Sequence, residues 1–142
     1  MVIGHFALVF AAAFAGAAFY INFAEQPARA SLNDTNFLKQ WKVSYPAGFI
    51  MQSSLAVVSG VLGLLAALLT NDWRWAIGAV LILANWPFTL MAIMPTNNKL
   101  KTIADADAGP ASRAMLESWA NLHAVRTALG TSATLAYIWA LN

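Results

Sequence analysis

The chain has 142 residues, of which 60% are hydrophobic and only 10% charged, with a formal net charge of +2. Soluble domains carry about 25% charged residues, and a soluble chain this short has too much surface to hide so much apolar side chain. The few basic residues form no stripe that would track a nucleic acid, and the absence of cysteine excludes disulfides and thiolate metal sites.

Crossing a bilayer takes about 20 mostly apolar residues. Four stretches qualify, at about Val2–Ala24, Ala47–Leu69, Trp73–Met94 and Trp119–Leu141. Together they predict an all-α fold, a single domain spanning 1–142 that forms an integral membrane four-helix bundle. The first stretch has no basic segment before it and exceeds the roughly 7–15 apolar residues of a signal peptide, so it reads as a retained span. In the first long connection, Phe37, Leu38, Trp41 and Tyr45 recur at helical spacing, which predicts a short helix lying on the membrane surface. Thr70-Asn71-Asp72 is a tight turn in which Asn71 or Asp72 can cap the next helix.

In the third stretch, Pro87 cannot donate to the carbonyl of Leu83, so a kink is expected; Asn85 and the freed carbonyl could then line a cavity walled by Trp86. Gly109-Pro110 marks the start of a fourth helix that extends into the cytoplasm before its membrane span, with Arg113 and Glu117 an i,i+4 pair on the extension. Basic residues concentrate in the two long connections (Arg29, Lys39, Lys42, Lys99, Lys101 and Arg113), with Arg74 alone on the other side. The positive-inside rule then puts both termini outside the cytoplasm, consistent with a bacterial inner membrane. Trp73, Trp75 and Trp139 are expected as anchors at the outer interface, Trp41 and Trp119 at the inner one. Small residues at Ala12 and Gly16, and at Ala56, Gly60 and Gly63, offer faces for close helix contact.

Polar residues inside membrane spans are costly and call for partners. Topology brings Asn22, Glu25 and Arg29 to the depth of Asn97, Asn98, His123, Arg126 and Thr127. Trp119, His123, Arg126 and Gly130 fall on one helical face. Arg126 should face inward and find a carboxylate, with Glu25 best placed, although Arg29 competes for it at i,i+4. Two readings follow. The cluster is either a purely architectural ion pair fixing helix register, or a pocket with His123 as proton acceptor and Arg126 and the asparagines holding an anionic oxygen. One histidine, one glutamate and amides make a thin metal ligand set, and His5 lies too far from His123 to share a haem. No metal or other cofactor is predicted. Asn33-Asp34-Thr35 matches a glycosylation pattern that a cytoplasmic segment would never present.

Three segments carry a family resemblance: Asn22-Phe23-Ala24-Glu25-Gln26-Pro27-Ala28-Arg29, Pro95-Thr96-Asn97-Asn98-Lys99-Leu100, and Trp119-Ala120-Asn121-Leu122-His123-Ala124-Val125-Arg126-Thr127. In order and spacing the chain resembles the anthrone oxygenase-like membrane proteins. The resemblance implies a four-helix membrane fold and, for some members, oxidation of an anthrone to an anthraquinone by dioxygen without an evident metal or flavin. It implies His123 as base, Arg126 and Asn97 as anion stabilisers and Glu25 as an orienting carboxylate. Asn22, Asn98, Asn85, Trp86, Trp119 and Thr127 complete the expected substrate-binding set. The expected partners are membrane lipid and a lipophilic small molecule, with a homo-oligomer or larger membrane complex open. Two other roles stand beside the oxygenase: a non-catalytic subunit or scaffold of a larger membrane assembly, and, more weakly supported, a carrier.

Overall fold

The computed structural model describes residues 2–142 and is helical throughout, with no strand among them. Four helical runs follow one another: α1 (Val2–Ala30), α2 (Asp34–Thr70), α3 (Trp73–Thr102) and α4 (Pro110–Leu141). The first three are long and apolar enough to cross a membrane. In α4, the apolar run is interrupted by Asn121, His123, Arg126 and Thr127. The helices form a ring in which α1 and α3 each pack against both α2 and α4. Gly4, Trp139 and the Asn71 turn lie at one end of this ring, where Gly4 meets Trp75 and Arg74 donates to the Trp139 carbonyl. The bundle's outside is as apolar as its inside, with Leu68 79% and Met91 80% exposed, as lipid permits and water does not.

The connections are far shorter than the sequence suggests. The surface helix expected around Phe37 to Tyr45 is instead the first third of α2, a 37-residue helix that passes through Pro46 without ending. At 1.5 Å per residue it extends about 55 Å, well beyond a hydrocarbon core of about 30 Å. Phe37, Leu38 and Trp41 are fully buried rather than spread on a membrane surface. They meet Ile93, Leu100, Leu116 and Trp119 in a core of their own, formed where all four helices overrun the apolar spans. The periodic face was real, but protein covers it instead of headgroups. Asn33, the residue of the glycosylation pattern, caps this helix by accepting from the Asn36 N–H at 2.9 Å.

Ion pairing at this end departs from expectation. Arg113 reaches Asp34 and the carbonyls of Ala30 and Leu32, not Glu117, so it fastens α4 to the α1–α2 connection. Lys42 pairs with Asp105 at 2.9 Å and also donates to the Ile103 carbonyl. At the other end, Asn71 closes α2 in the left-handed conformation (φ 56°). Asp72 caps α3 by accepting from the Arg74 N–H at 3.0 Å.

Prolines shape two of the spans. Gln26 N–H bonds back five residues to the Ile21 carbonyl and Met94 N–H to the Thr89 carbonyl, so Ile21–Glu25 and Thr89–Ile93 are π turns. Each lies just before a proline, Pro27 or Pro95, whose missing N–H cannot serve the carbonyl four residues back. Pro87 produces the expected break, at Ala84, where Asn85 Nδ2 donates to the Ile82 carbonyl at 3.0 Å.

Several aromatic and small residues take other places than expected. Trp73 and Trp139 are exposed and stack edge-on at 5.4 Å, as interfacial anchors should. Trp41, Trp75 and Trp119, expected as anchors, are buried: their rings fill gaps between helices. Ala12 and Gly16 face outward, and α1 uses Gly4, Ala7, Ala11 and Ala18 for close contact instead. Gly60 and Gly63 do lie at helix contacts, against Leu83 and Tyr137.

Candidate functional site

Where α1 and α2 diverge, in the half of the bundle away from the termini, they leave a cavity of about 410 Å³, within the range of sites for drug-sized ligands. Ile21 and Glu25 of the first π turn line it, as does Ile93 of the second; π turns recur at functional sites. From α4 come Trp119, His123 and Arg126, the face that helical spacing predicted. Trp119 stacks on the His123 ring at 4.9 Å and forms one aromatic wall.

His123 is 1% exposed. Its Nδ1 lies 2.9 Å from Asn22 Oδ1, which also accepts from the Thr127 hydroxyl at 2.8 Å. The Asn22 Nδ2 group donates to the Ala120 carbonyl at 2.9 Å. That carbonyl can only accept, so the amide's oxygen end must face the ring and Nδ1 must carry the proton. In the neutral imidazole the lone pair is then on Nε2. Asn22 and Thr127, predicted as substrate ligands, thus serve as the orienting groups of His123.

Arg126 does not meet Glu25. Glu25 pairs with Arg29 at 2.7 Å, the local i,i+4 partner, and accepts from Gln40 at 3.2 Å. The π turn keeps both residues on α1's inner side, and a partner one turn away is reached at less conformational cost than one on another helix. Among the described residues Arg126 makes no ion pair and its Nε has no hydrogen-bond partner, and its guanidinium lies 5.5 Å over the Phe14 ring. Arg29 stands over Trp119 at 5.7 Å, with Nε and Nη1 unpartnered. Two guanidiniums and one carboxylate therefore border the cavity, an arrangement that favours an anionic group inside it.

The asparagines divide. Asn97 is fully buried and engaged at both ends: its Oδ1 accepts from Trp119 Nε1 at 2.8 Å and its Nδ2 donates to the Tyr45 hydroxyl at 2.9 Å. It fixes two cavity walls, and it is not itself among the residues that line the cavity. Asn98 is exposed and away from the site. Asn85 and Trp86 border a second, much smaller void together with Arg126, and Asn85 Oδ1 is unpartnered there. Sequence reasoning passed over Tyr45, Phe49 and Gln52, all of which line the main cavity. A glutamine inside an apolar span was the available signal for Gln52. Among the described residues no three His, Asp or Glu side chains converge as a metal site.

A membrane-type helical bundle holding a buried, oriented histidine beside an unpaired arginine defines the class. The chain belongs to the Anthrone oxygenase family, whose model matches residues 41–136. The match takes in Gln52, Asn97, His123 and Arg126 and leaves Asn22 and Glu25 outside it. No curated protein and no solved structure matches the chain.

Proposed function

We propose that the protein is an integral membrane oxygenase that oxidises an anthrone- or quinol-like lipophilic substrate with dioxygen. The observation that carries this reading is the fixed tautomer of His123 beside Arg126, which pairs with no carboxylate among the described residues. Nε2 takes a proton from the activated ring carbon, and the charge left behind spreads to the ring oxygen, where Arg126 holds it. The carbanion bonds to dioxygen, and His123 returns the proton to give a hydroperoxide. Loss of water, breaking the remaining C–H bond and the O–O bond, leaves a carbonyl. One CH2 and one O2 become one C=O and one H2O, the substrate being oxidised and oxygen reduced. The scheme asks for no metal or flavin.

In this proposal all four helices cross the bilayer of a bacterial inner membrane, with both termini outside. Six of the eight basic residues lie at the end away from the termini, which supports that orientation. The cavity then occupies the cytoplasmic half, and its substrate arrives from membrane lipid. Assembly into a homo-oligomer or a larger membrane complex is compatible with the scheme.

Purified protein in mild detergent should consume oxygen when given anthrone. His123→Ala should lower this rate by about 10²–10⁴-fold while leaving the melting temperature within a few degrees. An unchanged rate would remove His123 from the mechanism.

A further inference from the structure

Gln52 lies in the apolar stretch of α2 and is 1% exposed, yet neither its Oε1 nor its Nε2 has a hydrogen-bond partner among the described residues. Other interhelical carboxamides of the bundle are engaged at one end or both: Asn22 by Ala120, Thr127 and His123, Asn97 by Trp119 and Tyr45, and Gln26 and Gln40 through their amide nitrogens to Leu116 and Glu25. An amide enclosed without partners in an apolar interior opposes folding, so its retention calls for a compensating role. Gln52 also lines the main cavity, in company with Tyr45, Phe49 and Trp119, whose rings suit a planar aromatic ligand.

Resting on the reading of this cavity as a substrate site, we infer that Gln52 is its specificity-determining residue, selecting polycyclic substrates that carry a ring hydroxyl. Oε1 accepts the hydroxyl proton, and Nε2 donates to a ligand oxygen. Arginine cannot do the first of these, because a guanidinium has no acceptor. Of the unpartnered buried side-chain atoms on the cavity's lining residues, Gln52 Oε1 is the acceptor, while Arg29 Nε and Nη1, Arg126 Nε and Gln52 Nε2 are donors. A bare polycycle leaves that acceptor unsatisfied, and the penalty for an unsatisfied buried group is what discriminates.

The test compares 2-hydroxyanthraquinone with anthraquinone as probes, their dissociation constants read by tryptophan quenching in detergent. The native protein should prefer the hydroxylated probe by about threefold to tenfold, the worth of one hydrogen bond. Gln52→Met, which keeps the volume and removes both polar atoms, should erase the preference and melt no lower than the native protein without ligand. A preference retained in Gln52→Met overturns the assignment. So does a failure of that variant to fold, since the amide would then serve the fold. His123→Ala should keep the preference while losing oxygen consumption, which separates failure of the recognition role from failure of the catalytic one. If neither probe binds the native protein, the cavity reading falls and this inference falls with it.

Discussion

At the end bearing the termini, glycines bring the helices together: Gly4 receives the Trp75 ring, and Gly63 and Gly78 enclose Tyr137 from two sides. Tyr137 donates to the Ser59 carbonyl at 3.1 Å, and Ser59 in turn donates to the Ala7 carbonyl at 2.8 Å. Small residues, two large rings and a short polar chain fill that half. In the other half two π turns and their prolines flank a cavity, and some of the polar groups lining it, Gln52 and Arg126 among them, leave atoms without a hydrogen-bond partner among the described residues. One bundle thus keeps its glycine-mediated contacts and its main cavity at different depths. The unsatisfied groups near the cavity are tolerable because the far half supplies close contact, which drives helix association where no hydrophobic effect operates between helices.

Three substitutions would sharpen or break this division. The largest effect should come from Gly78→Leu. A side chain there overlaps the Tyr137 ring, and the strain should remove about 1–3 kcal/mol or more of stability, seen as a lower melting temperature or loss of the folded peak on size exclusion. Gly48→Phe should do the reverse. A Cβ at Gly48 meets nothing within 4 Å, and the residue lines the cavity. Melting should hold while ligand binding and oxygen consumption fall sharply; equal destabilisation by both substitutions would erase the distinction between the halves. The smallest effect concerns Asp72, whose hydrogen bonds from Arg74 hold its carboxyl below the ordinary value of 3.8. A pKa depressed by folding contributes stability above the unfolded value, lost as pH falls through the folded one. Melting profiles of native protein and Asp72→Asn should therefore run parallel above about pH 5 and converge only in stronger acid, below about pH 4.

The apolar spans, the turn at Asn71 and the start of α4 at Gly109-Pro110 were legible because each has a local cause: hydropathy, a capping side chain, a proline in a first turn. The face shared by Trp119, His123 and Arg126 was legible for the same reason, being set by spacing along one helix. What the sequence left open was competition. Asn97 had to choose between a ligand and two neighbouring side chains, and Glu25 between Arg29 and Arg126. Such choices depend on which partner stands nearest across a helix contact, and no single helix encodes that. The polar stretches after the first and third spans misled by composition alone: Phe37, Leu38, Trp41 and Leu100 were apolar enough for a core, but few residues separate them from lysines.

The π turn in α1 bears on how this fold can change. Inward positions along the helix run Gly4, Ala7, Ala11, Phe14, Ala18, then Asn22, Gln26 and Arg29, and the steps of four at 18, 22 and 26 suit a wider turn better than the 3.6-residue period. Deleting one residue between Ile21 and Glu25 would restore an ordinary helix and still leave a stretch able to traverse lipid. Everything after the deletion would rotate by about 100° relative to the rest, carrying Gln26 and Arg29 off the bundle's inner side. A lineage losing that codon would keep a membrane protein and lose Arg29 from the cavity wall in one step.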